Sequence, residues 1–499
     1  MTEHCTDTSF STSRDRFDQV CGFLGDQEAA SLTHSELEAR LSVDLRELVR
    51  LLYQDHLDLR AAREQRRSVV DAGGSRRGRV EAGHVRPLQT VFGQVEVTRL
   101  AYRRRGQANL YPADAALNLP RELASHGLRE LSAVESSRGS FEEASDAIAR
   151  TTGVRLGKRQ LERLAARAAA DFEAFYTDSS RSQATATEGD LLVLSADGKG
   201  IVMRPDALRP ATAKAAGQAT AKLATRLSRG EKRNRKRMAE VGAVYDLTPT
   251  VRTPTDIIGR GDAPPRPVAP KACNKWLTAS VVDTAATVIG SIFDEAQRRD
   301  PTGQRTWVAL VDGAKHQIDR IHAEAAARHV QVTIVCDFIH VLEYLWSAAW
   351  SFFTEGDPAA EKWVAAKALA VLNGQASTVA AAIRRKATTL GLQPQTRRGA
   401  DRCADYLLAK RDYLNYPQAL AQGWPIATGI IEGACRHLVK DRLDLTGARW
   451  GLHGAEAILK LRALRSNGDF DQYLRFHLNQ ERNRVHKTRY LNDTIPTAA

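Results

Sequence analysis

A mixed α/β core is predicted for the middle of this 499-residue chain, framed by mainly helical regions. Three observations predict it. Between residues 190 and 337, short continuous apolar runs alternate with amphipathic helices, the pattern of a sheet covered by helices on both faces. Before residue 180, and again from 338 to about 422, the apolar residues fall mostly at helical spacing. The apolar fraction, 43%, is too high for a disordered chain and is enough for a sizeable core. At roughly 100 to 200 residues per domain, the length fits about three domains.

Residues 1–33 read as a flexible N-terminus and residues 34–180 as a binding and oligomerisation region. In the latter, Leu37, Leu41, Leu45, Leu48, Leu51 and Leu52 have helical spacing, predicting a long amphipathic helix over 34–65 that packs on itself or on a second copy. Segments 86–91 and 95–102, separated by Phe92-Gly93-Gln94, predict a hairpin. Ser140 and Glu143 form a capping box before a helix over 141–150, and Gly153 stops it. A second helix then starts near Gly157 and carries Lys158, Arg159, Arg163 and Arg167. Two short helices with a Gly-containing turn, the second one basic, fit a helix-turn-helix DNA reader over about 140–175, or an ordinary helical hairpin.

The polar stretch 177–189 marks a boundary. Strands are predicted over 191–196, 241–247, 277–282, 307–311 and 332–336, with helices over 285–297 and 315–328. The segment 190–337 is thus the first part of the core, and 338–422 reads as an all-helical insertion. Within it Asp357-Pro358 opens one helix that Gly374 closes, and another covers 401–415. Residues 423–475 complete the core, and 476–499 form a basic tail.

Lys and Arg number 72 against 59 Asp and Glu, a net charge of +13. That balance makes a polyanion the leading partner, nucleic acid ahead of a membrane. No window approaches the ~18 apolar residues of a membrane span, and no apolar leader opens the chain, so a cytoplasmic location is expected. The six cysteines, Cys5, Cys21, Cys273, Cys336, Cys403 and Cys435, show no zinc-ligand spacing. Basic residues concentrate in two places. Residues 63–105 hold eleven Arg and no Lys against four acids, and 222–238 hold Lys222, Arg226, Arg229, Lys232, Arg233, Arg235, Lys236 and Arg237 against Glu231 alone. Each cluster by itself could be a solvated face; together they fit a phosphate backbone. With only 6% aromatic residues to stack unpaired bases, double-stranded DNA is the expected form.

The candidate chemistry lies in the acids. Asp197 and Asp312 each end an apolar strand beside glycine, and Glu432 sits in the first turn of a late helix. Carboxylates crowded at one sheet edge repel unless cations join them, and two Mg²⁺ or Mn²⁺ ions would satisfy three. Such a pair suits in-line attack at a phosphodiester. Asp197-Gly198 is equally a hairpin-turn signal, Asp312-Gly313 a strand exit or helix cap, and Glu432 a favourable helix-start charge. Spacing alone leaves Asp246, Asp283 and Asp337 as competitors.

Several segments carry a resemblance that discriminates: Leu194-Ser-Ala-Asp197-Gly-Lys-Gly200, 230–239, Val311-Asp312-Gly313, Cys336-Asp337-Phe-Ile-His340, 423–433, His437-Leu-Val-Lys440-Asp-Arg442 and 446–450. Over about 35–475 the chain resembles bacterial insertion-sequence transposases of the ISKra type, a group of DDE transposases. The resemblance implies an RNase H-like, retroviral-integrase-type core with an all-α insertion, preceded by a mainly helical DNA-binding region. It implies that Asp197, Asp312 and Glu432 are the catalytic triad holding two Mg²⁺ or Mn²⁺ ions. Asp337 and His340 match an element associated with DNA contacts or site geometry, making them secondary candidates. The implied function is binding of terminal inverted repeats, then hydrolysis at the element end and strand transfer into target DNA. A homodimer or larger assembly in the bacterial nucleoid is implied with it. Lys158, Arg159, Arg163, Lys232, Arg233, Arg235, Lys236, Arg237, Lys440, Arg442 and Arg449 are the expected DNA contacts. The alternatives are an RNase H-like nuclease or resolvase without strand transfer, and a domesticated DNA-binding protein that has lost catalysis.

Overall fold

The computed structural model describes residues 10–178, 191–219, 223, 225–228, 231, 234–259, 271–445 and 447–496. The chain divides into two compact units, Met1–Ser179 with Gly468–Ala499, and Ser180–Asn467.

In the first unit, α1 (Ser11–Gly25) packs on α2 (His34–Ala62), which lies against a hairpin of β1 (Arg79–Thr90) and β2 (Gly93–Arg103). The expected flexibility of 1–33 is therefore corrected over residues 11–25. Helix α1 is held because Asp55 accepts from the Ser13 N–H at 2.9 Å and the half-buried Arg16 reaches the buried Asp44 at 2.6 Å. Thr33 and Glu36 form a capping box that opens α2. That helix buries Asp44, Leu48 and Leu57, while Leu45, Val49 and Leu52 stay exposed at i, i+4 and i+7. Next come α3 (His126–Arg138), α4 (Phe141–Thr152) and α5 (Lys158–Ala168). The predicted capping box is present: Ser140 Oγ accepts from the Glu143 N–H, and Gly153 closes α4 at φ 74°. Leu128, Ala144, Ile148, Val154, Leu156, Leu161 and Leu164 form the core of these helices.

The expected basic tail is also corrected. Residues 470–485 form a helix whose Tyr473, His477 and Glu481 are buried in this first unit. Beyond it, Tyr490 and Ile495 pack with Val69, Tyr102 and Leu110. Aromatic burial outweighs local charge here, since each such side chain contributes roughly 1.5 to 3 kcal/mol. In the same unit, burial pushes the Asp171 carboxyl up, but hydrogen bonds from His477 and Arg484 outweigh it and hold the group at about 2. A depressed carboxyl contributes stability above its ordinary value and loses it as pH falls. Unfolding free energy should therefore drop as pH goes from 3.8 to about 2. Asp171→Asn should flatten that part of the profile in urea titrations across this range.

The second unit is a mixed α/β structure built on a five-stranded sheet, in the order β5-β4-β3-β6-β7. Its strands are β3 (Leu191–Val202), β4 (Lys236–Leu247), β5 (Ala272–Ser280), β6 (Trp307–Val311) and β7 (Val332–Cys336). The first three run antiparallel, and β6 and β7 run parallel to β3. Helices α6 (Ala285–Arg299) and α7 (Lys315–Ala327) follow β5 and β6. Gly242 lets α6 approach closely: a Cβ there would lie 2.8 Å from Ile292 Cδ1.

Residues 338–421 are helical, with α8 (Phe338–Ala349), α9 (Pro358–Leu372), α10 (Ala376–Thr389) and α11 (Pro394–Ala409), then a short helix Tyr416–Ala421. Helix α11 starts and ends earlier than the predicted 401–415, because Pro394 supplies a preset first turn. At the crossing of α11 and α8, a Cβ on Gly399 would lie 2.1 Å from the Ser347 carbonyl oxygen. Gly399→Ala must push backbone apart, and thermal denaturation should read a loss of about 1 to 3 kcal/mol. The unit closes with α12 (Gly429–Ala434), a π-helical turn Cys435–Lys440, and α13 (Leu452–Asn467). Its end at Asn467 corrects the expected boundary at 475. Among the described residues, no helix is long and apolar enough to cross a membrane.

Candidate active site

Asp197 does not end its strand. β3 continues to Val202 because β4 pairs with it as far as Val202↔Lys236, which also rules out a turn at Asp197-Gly198. What places Asp197 is the end of its other neighbour. The β3–β6 register pairs Leu192 with Trp307 and Ser195 with Leu310. Continued by two residues, the same register would set Asp197 opposite Asp312, the residue just past the end of β6. Both are half-buried.

Each aspartate is oriented locally. Asp197 Oδ1 accepts from the Gly198 N–H at 2.6 Å, and Asp312 Oδ1 accepts from the Ala314 N–H at 2.7 Å. Gly313 between them takes φ 94°, where a Cβ would lie 3.0 Å from Tyr406 Oη and 3.3 Å from Cys336 Sγ. Tyr406, on α11, donates to the Asp312 carbonyl at 3.0 Å, so the helical block props the exit of β6. Burial pushes the Cys336 thiol up to about 12, and it is inert packing beneath this turn.

Glu432 is exposed in the first turn of α12, and this helix with its π turn packs against β3. The connection to Asp197 runs through Cys435, one turn further on, whose thiol donates to Asp197 Oδ2 at 3.3 Å. Burial first, then the Asp197 carboxylate, raise the Cys435 thiol pKa well above the ordinary value. A π turn loosens the helix's own carbonyls. Arg462 on α13 donates to those of His437 and Leu438, fixing the irregular turn in place. Among the described residues no three His, Cys, Asp or Glu side chains are gathered into an ion-holding group.

Asp337 is fully buried. Its carboxylate caps α8, accepting from the Ile339 N–H at 2.7 Å, and also accepts from the Thr428 hydroxyl and N–H just before α12. Burial raises its pKa despite those bonds. With the Phe338 N–H donating to the Ile426 carbonyl at 2.8 Å, this clamp sets where α12 begins and hence where Glu432 stands. Asp337 is thus a positioning residue. His340 is partly exposed and pairs with Glu343 at 2.9 Å, a local contact on α8. Of the competing acids, Asp246 is buried in ion pairs with Arg305 at 2.8 Å and Arg299 at 3.7 Å, a structural role. Asp283 lies in the turn after β5.

The expected DNA contacts divide. Lys158, Arg159, Arg163, Lys440 and Arg449 are exposed, Lys158 alongside Glu142 at 2.9 Å. Lys236 pairs with Asp444 at 3.2 Å, and Arg235 is half-buried. Arg237 is half-buried and donates to the Val281 carbonyl at 2.7 Å and the Ala207 carbonyl at 3.3 Å. Arg442 is a correction: it is 2% exposed and lies over the Trp450 ring at 4.8 Å, so it packs rather than faces solvent. Lys232 and Arg233 lie outside the described residues.

Sequence reading missed Cys435 and Glu240. Cys435 follows Glu432 by three residues, a same-face spacing that could have flagged it. Glu240 stands opposite Gly198 in the β3–β4 register. Burial raises its pKa most, and the nearby Asp197 charge adds to the rise.

The second unit is a mixed α/β structure with Asp197 on the central strand β3, Asp312 just past the end of its neighbour β6, and the Glu432 helix packed against β3. No family model and no curated protein matches the chain. Among solved structures it is similar to the Drosophila P element transposase strand transfer complex. That match has 10% identity over 73% of this chain and 82% of that chain, with a TM-score of 0.23. A likeness at that score carries no statement about this chain's fold or activity.

Proposed function

We propose that this chain is a DDE transposase of an insertion sequence, with an RNase H-like core in which residues 338–422 are an insertion ahead of Glu432. The observation that carries the reading is the Cys435 thiol that ties the Glu432 helix to Asp197, beside a β3–β6 register that, continued two residues, would bring Asp197 opposite Asp312. The strand order supports the fold assignment: three antiparallel strands followed by two parallel ones, with Asp197 on β3 and Asp312 at the exit of the neighbouring β6.

Asp197, Asp312 and Glu432 are the residues that would hold divalent cations. Their oxygen donors suit Mg²⁺ or Mn²⁺. Holding an ion there requires the exposed Glu432 side chain to turn toward the aspartates, and Asp197 to share an oxygen now bonded to Cys435. When bound, such ions supply activation of the attacking oxygen and stabilisation of the leaving one at a phosphodiester. The chain's own residues orient the site. Gly198 and Ala314 N–H groups fix the aspartates, and Asp337 with Thr428 fixes the start of α12.

DNA holding is assigned to α4 and α5 as a helix-turn-helix, with Lys158, Arg159 and Arg163 exposed, and to Lys440 and Arg449 after the glutamate. The exposed Leu45, Val49 and Leu52 of α2 support self-association, which bringing two DNA ends together requires. The deciding test is a strand-transfer assay with element-end DNA and Mg²⁺ or Mn²⁺. Joined products support a transposase; cutting without joining supports a nuclease or resolvase instead.

A further inference from the structure

In the unit formed by residues 1–179 and 468–499, a cavity of about 410 Å³ is lined by Arg121, Arg129, Arg167, Arg484 and Arg489, with Glu122, His477 and Glu481. So many guanidinium groups around one hollow repel one another unless each has an anion. Three of them do. Arg129 binds Glu481 at 2.7 Å, Arg167 pairs with Glu122, and Arg484 binds Asp171 at 2.5 Å. Arg121 and Arg489 are exposed and have no acidic partner among the described residues. His477 adds no negative charge: it bonds Asp171 through Nδ1 at 2.6 Å and faces Arg129 through Nε2 at 3.4 Å.

A second observation locates the unmet charge. Arg129 is 5% exposed, and its Nε has no hydrogen-bond partner among the described residues. Glu122 Oε2 in the same lining lacks a hydrogen-bond partner too, so the unmet polar groups beneath the hollow are of both signs, and the excess positive charge lies with Arg121 and Arg489 at its exposed side.

The third observation fixes the kind of anion. Arg159, Arg163 and Arg167 recur at i, i+4 and i+8 on α5, so they share one exposed face. Eight residues of helix span about 12 Å, and the last of the three lines the cavity. An extended row of cations ending in an arginine-lined hollow matches a ladder of phosphates better than a single small anion.

We propose that this cavity seats a backbone phosphate of duplex DNA, at the end of an arginine track that begins on the exposed face of α5. The inference rests on the duplex-binding part of the proposed function and not on its catalytic part. Arg121 and Arg489 grip the phosphate from the rim, and Arg129, committed to Glu481, holds the wall behind them.

The test is fluorescence anisotropy of a labelled random-sequence duplex with the full chain, titrated across NaCl concentrations. Each phosphate contact contributes about 0.9 to the slope of log affinity against log salt. R121Q/R489Q should lower that slope by about 1 while leaving the melting temperature unchanged, since neither side chain holds an internal ion pair. R121K/R489K should restore most of the slope, and K362Q, on α9, should not alter it. A slope in R121Q/R489Q equal to that of the unaltered protein overturns the inference. So does competition by tripolyphosphate that the double variant loses while its duplex slope stays intact, because the seat then serves a free nucleotide. If the unaltered protein binds no duplex at all, the DNA-binding reading falls together with the inference. Normal metal-dependent cleavage with an unchanged slope in R121Q/R489Q removes the inference alone.

Discussion

Asp312→Ala is expected to abolish metal-dependent cleavage of element-end DNA while leaving duplex affinity within about twofold. The reason is the division of labour in the chain. Asp312 is half-buried just past the end of β6, whereas Lys158, Arg159, Arg163, Lys440 and Arg449, assigned to DNA, are exposed. Removing one of three carboxylates forfeits charge stabilisation of several kcal/mol at the reacting phosphate. A loss of about 4 kcal/mol is about a thousand-fold in rate. Asp197→Ala and Glu432→Ala should behave alike, and calorimetric titration with Mn²⁺ should show weakened ion binding in all three. Asp337→Ala should differ in kind, because its carboxylate clamps α8 to the start of α12. Its first effect is a lower melting temperature, with activity lost as a consequence. Cleavage that persists in Asp197→Ala, Asp312→Ala and Glu432→Ala would remove the assignment.

Arg129→Met should be the most destabilising single change in the first unit, lowering unfolding free energy by about 3 to 5 kcal/mol. Arg129 lies at 5% exposure on α3 and holds both Glu481 oxygens at 2.7 Å. Its guanidinium also faces His126 Nδ1 at 3.2 Å and His477 Nε2 at 3.4 Å. Removing it strands a buried carboxylate and two ring nitrogens together, and desolvated groups without partners carry the full penalty. The double variant Arg129→Met/Glu481→Leu should recover part of the loss, because the uncompensated charge is then gone. Urea unfolding of both variants at neutral pH measures the difference. Equal stability for Arg129→Met and the unaltered protein would show the hub to be solvent-screened.

Much of the sheet was legible because buried strands must be apolar. Segments 307–311 and 332–336 were read with the bounds they have, each being a continuous apolar run with a glycine or aspartate at its exit. The capping box at Ser140 and the glycine stop at Gly153 were legible for the same reason: their chemistry is local. Other features were hidden. The extension of β3 past Asp197 depends on β4, whose first residues are basic and carry no apolar signal. The terminal segment reads as basic and polar, yet Tyr473 and Tyr490 are buried against partners some hundreds of residues away in sequence. Arg442 looks like Lys440 in sequence, and only its packing on Trp450 separates them.

By itself, the sequence determined the alternation of strands and helices, the acids at the exits of β6 and β7 and the excess of positive charge, since periodicity, turn chemistry and net charge are local or additive properties. Only the tertiary structure decided that β3 runs on past Asp197, that Asp246 and Asp337 are spoken for by buried partners, and that Arg121 and Arg489 have no acidic partner among the described residues. Register and burial join residues distant in the chain, and a carboxylate or guanidinium becomes available or committed only when those neighbours are fixed.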